Sequence, residues 1–334
     1  RPFDENKWRE AVAATNPALL YAPHYREGRF FNPWMPVEKE FREVLAWWLS
    51  ARTVYTPEEE NARPRVVPEL HRRIMTASGD FIAWIGHASF LIRSGGVYWL
   101  TDPMFSERAL LPKRLTPPAL SREEFLSLPG EKNVIISHNH YDHLDAASIR
   151  GLPAETRIYA PMGLKPLLHE WGKKNVVEMD WWQEVSCGDG CRVVCLPAQH
   201  WSRRTLTDTN TTLWASFLVE KAGRKIYYGG DSGYFTGYRE IGRRYPGIDY
   251  ALLPVTAYDP RWFMHYPHMD AREALIAFRD LGARYLIPTQ WGTFRLGDEP
   301  IGHSPMALTG NLPGTGVKAD RLLIMDIGQL SPLK

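Results

Sequence analysis

Ser137-His138-Asn139-His140-Tyr141-Asp142-His143-Leu144-Asp145 follows directly on the apolar run Val134-Ile135-Ile136. Side chains alternate at period two along an extended backbone, so His138 and His140 fall on the same side. Asp142 and His143 can then turn toward a second ion beside the first. Imidazole suits zinc, iron, nickel and similar ions, and a carboxylate adds the charge that neutral histidines lack. A histidine-rich surface turn has no reason to converge on this pattern. The stretch reads as a metal site.

Working outward, other strand-like runs also end on ligand-type residues. Val193–Leu196 runs into Pro197-Ala198-Gln199-His200, and Lys225–Tyr228 into Gly229-Gly230-Asp231. Tyr250–Leu253 precedes a loop with His265 and His268, after which Asp270 caps a helix containing Leu275 and Phe278. Tyr285–Ile287 leads to Gln290. Upstream, Phe81–Ile85 and Ser89–Arg93 read as short strands, Gly95-Gly96 turns into Val97–Leu100, and Ser121 to Glu124 forms a capping box. Ligands in layered α/β proteins gather beyond the carboxyl ends of strands. The order of elements predicts an α/β protein, an αβ/βα four-layer sandwich of two β-rich halves covered by helices.

Composition limits the partners. Net charge is +2 over 334 residues, with 44% hydrophobic and 23% charged side chains. That suits a globular chain with a sizeable core, and it offers no whole-protein attraction for nucleic acid. No apolar run is long enough to span a bilayer. Thirteen Trp and fifteen Tyr fit an aromatic core, an apolar pocket or a membrane-facing surface. Residue 1 is Arg rather than Met, which fits a leader removed or omitted. Cys187, Cys191 and Cys195 are expected to be buried or free thiols rather than a local disulfide.

Residues 1–78 read as an N-terminal extension packing on a main domain of residues 79–334. The extension carries an amphipathic helix whose Phe41, Val44, Leu45, Trp48 and Leu49 follow the spacing of an apolar stripe. Trp47-Trp48-Leu49 could meet core, partner or lipid.

The chain resembles the metallo-β-lactamase superfamily, and within it the N-acylphosphatidylethanolamine-hydrolysing phospholipase D group. The anchors are Phe31-Asn32-Pro33-Trp34, Trp84 to Ala88, Leu100 to Pro103, Ser137 to Asp145, Asp180-Trp181-Trp182, Gln199-His200-Trp201, Gly230-Asp231, Pro260 to Met264, His268 and Trp291 to Phe294. The resemblance spans residues 31 to about 299. It implies that His138, His140 and His200 hold one ion, Asp142 and His143 a second, and that Asp231 bridges both. It implies one or two zinc ions, with iron or manganese as alternatives, and a metal-bound hydroxide as nucleophile. Asp102 would orient a ligand, and His87 would be a buried, hydrogen-bonded histidine outside the ligand set. His268 would protonate the leaving group or grip phosphate, with Asp142 and Asp231 as the catalytic carboxylates.

The pattern breaks at Gln290, where the family has a histidine ligand to the second ion. Gln290 could be a weak ligand, the second site could be empty or transient, or His268, His265 or His303 could substitute. The expectation is one firmly bound ion and one labile ion. Arg203 and Arg204 are candidate contacts for an anionic headgroup.

The implied substrate is an N-acylated or related glycerophospholipid, with a membrane surface and a homodimer as possible partners and no nucleic acid. A soluble or membrane-peripheral protein is expected, with the cell envelope possible and an integral membrane protein excluded. A lactonase or carboxylester hydrolase would use the same ligands. A non-catalytic metal- or lipid-binding homologue is kept open by Gln290.

Overall fold

The computed structural model describes residues 3–36, 46–47 and 49–334. Its strands are Tyr25–Arg26 (β1), Arg29–Phe30 (β2), Phe81–Gly86 (β3), Ser89–Ser94 (β4), Val97–Thr101 (β5), Lys132–Ile135 (β6), Arg157–Pro161 (β7), Val176–Met179 (β8), Glu184–Ser186 (β9), Cys191–Leu196 (β10), Ser216–Lys221 (β11), Arg224–Tyr228 (β12), Tyr250–Pro254 (β13), Tyr285–Thr289 (β14) and Leu330–Pro332 (β15). Two large sheets form, in the orders β15-β3-β4-β5-β6-β7-β8 and β14-β13-β12-β11-β10-β9. In the first, β3, β4 and β5 are antiparallel and β5 to β8 parallel. In the second, β9 to β12 are antiparallel and β12 to β14 parallel.

Alternation along each strand explains the layers. In β3, Ile82 and Trp84 enter the core shared with Val194, Phe217 and Leu252 of the second sheet. Their neighbours Phe81, Ala83 and Ile85 point the other way, onto a core with Phe125, Ile149 and Leu168 of the covering helices. The helix Ala271–Leu281 covers β13 of the second sheet, starting at a capping box between Asp270 and Glu273 and stopping at the left-handed Gly282. Helix, sheet, sheet and helix give the four layers expected from the sequence. The predicted strands end within a residue or two of those observed. β1, β2, β7, β8, β9, β11 and β15 went unread, since none of them leads into the histidine and aspartate loops.

The N-terminal segment packs on the body through buried polar contacts. Trp8 Nε1 donates to Glu273 Oε1 at 2.9 Å, and Arg261 lies 2.9 Å from both Glu273 and Glu5. The stripe residues Phe41, Val44, Leu45 and Trp48 lie outside the described residues. Of that stretch, Trp47 stacks on Phe263 with ring centroids 5.0 Å apart, and Leu49 is exposed. No described helix is long and apolar enough to cross a membrane.

One expectation is overturned. Cys187 and Cys191 form a disulfide, while Cys195 is free and buried. The Gly188-Asp189-Gly190 turn between β9 and β10 brings the two Cα atoms to 5.0 Å, inside the range a disulfide needs.

Candidate metal centre and active site

His87, Asp102, His138, His200, Asp231 and Gln290 each sit just past the carboxyl end of a strand, β3, β5, β6, β10, β12 and β14 respectively. His138, His140, His200 and Asp231 come together with ligand atoms within 4.8 Å of one another. His138 Nε2 lies 2.8 Å from His140 Nδ1, which is 3.2 Å from His200 Nε2. Three nitrogens at that spacing cannot all be bridged by protons, but they match the edges of a coordination shell with bonds of about 2.0–2.1 Å. Asp142 and His143 form a second group beside the first, together with His87. Asp231 faces both. Its Oδ2 is 3.5 Å from His200 and 3.8 Å from His138, and its Oδ1 is 3.3 Å from His143.

The residues fit cations. Among the described residues, His143 Nε2, Asp231 Oδ1 and Gln290 Oε1 are buried with no hydrogen-bond partner. Uncompensated buried polar atoms are costly, and cations would satisfy those turned toward the ligand groups. Burial and the neighbouring imidazoles push His138 and His200 well below the ordinary histidine range. Burial takes His140 down to about 4. Their lone pairs are therefore free at neutral pH. Burial alone would raise Asp142 and Asp231, yet His143 and the other histidines outweigh it and hold both carboxyls well below the usual range. Burial likewise opposes charge on His143, but Asp231, Asp142 and Asp102 prevail and raise it.

A buried shell fixes these groups. Asp102, fully buried, accepts from Ser137 N at 2.7 Å, Ser137 Oγ at 2.5 Å, His143 Nδ1 at 2.6 Å and Tyr228 Oη at 2.5 Å. Through the contact with Nδ1 it fixes the orientation of the His143 ring. His200 Nδ1 is 3.1 Å from the Pro267 carbonyl. The Asn32-Pro33-Trp34 segment braces the same strand end: Asn32 Nδ2 donates to the His200 carbonyl at 3.0 Å and Trp34 Nε1 to Gln199 Oε1 at 3.0 Å. Gly230 is left-handed at φ +57°, and a Cβ there would lie 2.5 Å from that of Ser137. Only glycine lets the Asp231 turn approach the histidine loop so closely.

Other candidates fall differently. The His268 ring is 5.3 Å from that of His200, at the first group. His303 Nδ1 is 2.6 Å from the Tyr258 hydroxyl, and His265 Nδ1 is 2.8 Å from the Arg261 carbonyl with its ring against Phe3. Neither belongs to the two ligand groups. Arg203 is exposed, over the Trp201 ring, which packs against His140. Arg204, the other candidate headgroup contact, is turned inward. Its half-buried guanidinium lies over Tyr141 and donates to the carbonyls of Asn139 and Leu144, bracing the histidine loop. Tyr228, Asn32 and Trp34 were missed as positioning residues, since only folding brings them to the site.

A centre of histidines and carboxylates at one edge of two facing sheets is the arrangement of a metal-dependent enzyme, and the relatives of the chain make it a metal-dependent hydrolase. A family model described as the beta-lactamase superfamily domain matches residues 98–291. The chain belongs to the metallo-β-lactamase superfamily. It is 36% identical over 300 residues to an uncharacterized protein of Mycobacterium tuberculosis, covering 84% of this chain and 77% of that one. It is 35% identical over 237 residues to N-acyl-phosphatidylethanolamine-hydrolyzing phospholipase D 1 of Caenorhabditis elegans, covering 66% of each. Among solved structures, the metallo hydrolase Igni18 of Ignicoccus hospitalis superposes with a TM-score of 0.59 at 21% identity, over 76% of this chain and 98% of that one, and shares the fold.

Proposed function

We propose that the chain is a phospholipase D-type phosphodiesterase acting on N-acyl phosphatidylethanolamine or a related glycerophospholipid. Water would add across the phosphorus–oxygen bond on the headgroup side, its hydroxyl going to phosphorus and its proton to the departing N-acylethanolamine. The observation that carries a two-ion hydrolase is Asp231, whose two oxygens face the two ligand groups. The substrate reading is supported by the likeness to the worm phospholipase over two-thirds of its length.

His138, His140, His200 and Asp231 would hold one cation, and Asp142, His143 and Asp231 a second. The donor set suits zinc, with iron or manganese as alternatives. Bound cations there supply a water acidified to near-neutral pH and neutralise charge on the phosphodiester oxygens. The protein's own groups do the rest. His268, whose ring lies 5.3 Å from that of His200, would pass a proton to the leaving alkoxide or grip a phosphate oxygen. Arg203, exposed over the Trp201 ring that packs on His140, would offer a cation and an aromatic face to a phosphate-bearing headgroup.

The test is incubation of the purified, zinc-loaded protein with N-acyl phosphatidylethanolamine in mixed micelles. Phosphatidic acid and N-acylethanolamine should appear in equal amounts. Turnover of lactones without phosphatidic acid release would overturn the reading in favour of a lactonase.

A further inference from the structure

His87 is fully buried in the β3–β4 turn, and both of its ring nitrogens face acceptors. Nδ1 is 3.1 Å from the backbone carbonyl of Gln290, and Nε2 is 2.9 Å from Asp142 Oδ2. A neutral imidazole has one N–H and one lone pair, so in either tautomer one contact sets a lone pair against a lone pair. A second ring proton or a cation at Nε2 resolves the conflict.

Three observations favour the cation. First, His87, Asp142 and His143 each bring one ligand atom within 4.8 Å of the others, and His87 Nε2 and His143 Nε2 lie 2.9 and 3.2 Å from the same Asp142 Oδ2. The 2.9–3.2 Å spacings repeat the 2.8–3.2 Å spacings within the His138, His140 and His200 group. Second, a metal-bound histidine gives its other N–H to a carbonyl or carboxylate. His200 meets the Pro267 carbonyl and His143 meets Asp102, and the Gln290 carbonyl serves His87 in the same way. Third, Gln290 is built to hold His87. Its backbone N–H donates to the His87 carbonyl at 3.1 Å, closing a two-point clasp. Its side-chain Nε2 is tied to the Gly230 carbonyl at 2.9 Å.

We infer that His87 Nε2 is a ligand of the second cation, with Asp142, His143 and Asp231, and replaces the histidine absent at position 290. The inference rests on the two-ion reading above. It displaces both the sequence expectation that His87 stands outside the ligand set and that of a labile second ion.

Metal content by mass spectrometry after dialysis tests it, independently of any substrate. The wild type should retain two zinc ions per chain, His87→Gln one, and His87→Gln combined with Gln290→His two again. Far-UV circular dichroism checks that each variant folds. An anomalous-difference map of the wild type should show a peak within bonding distance of His87 Nε2. Two ions in His87→Gln, or a second peak out of reach of His87, would overturn the assignment while leaving a two-ion enzyme. A single ion in the zinc-saturated wild type would overturn both.

Discussion

Asp102 receives four hydrogen bonds with no solvent contact, and two of them come from groups that can only donate in that geometry, His143 Nδ1 and Ser137 N. Asp102→Asn would turn one carboxylate oxygen into an N–H facing another donor. Loss of such an orienting carboxylate typically weakens metal binding about 10- to 100-fold. Competition with a chromophoric chelator should show that loss mainly for the ion touching His143, and equal affinity in mutant and wild type would refute the role. A pH prediction follows from the buried histidines. Free imidazoles take a proton near pH 6.5, but His140 does so only at about 4, and His138 and His200 are also depressed. Protons compete for the ligands only in their neutral-to-cationic transition, so metal should stay bound as pH falls through 6.5 and leave as it approaches 4. Half-release near pH 6.5 in a dialysis series would contradict the burial argument.

At the scale of elements, the helix Glu5–Ala13 is joined to Ala271–Leu281 by Arg261. That guanidinium meets Glu5 and the buried Glu273, and also donates to the His268 carbonyl at 3.2 Å. One arginine therefore ties the N-terminal helix to the loop that carries His268. Burial already raises the Glu273 carboxyl to about 8, so without Arg261 it takes up a proton instead of staying charged, and the cost is that of the lost hydrogen bonds, about 1–3 kcal/mol. Arg261→Met should lower the urea unfolding free energy by roughly that amount, and adding Glu273→Gln should recover part of it. Additive losses in the double variant would show that the two residues do not act as a pair. Of the elements, β3 to β6, β10 and β12 to β14 were legible because apolar runs ended at punctuating Gly, Pro or ligand residues. The β9–β10 hairpin was not. Its disulfide depends on a turn that the spacing of Cys187 and Cys191 does not specify.

For the whole molecule, the two sheets bury their shared core and the helix-covered faces without drawing on the ligand residues. The fold should therefore outlast its metal. Chelation should leave the far-UV circular dichroism spectrum intact while the melting temperature falls, since bound ions stabilise only the folded state. Unfolding on chelation would mean instead that the ions nucleate the sandwich, as in zinc-dependent small domains. The superfamily and the hydrolase class were legible because the ligands of one loop, His138 to His143, are contiguous, and the remaining loops each end a recognisable strand.

Local order along the chain thus determined the sandwich and the ligand-bearing strand ends, because side-chain alternation and turn chemistry act over a few residues, while the departure at Gln290 stood out only against the resemblance to the family. What histidine faces the second group was decided only in three dimensions. His87 meets Asp142 across 55 residues and Gln290 across 203, contacts made by strands ending side by side. The same closure turned Arg204 inward and left Arg203 at the surface, because burial beside Tyr141 was available to one guanidinium and not to its neighbour.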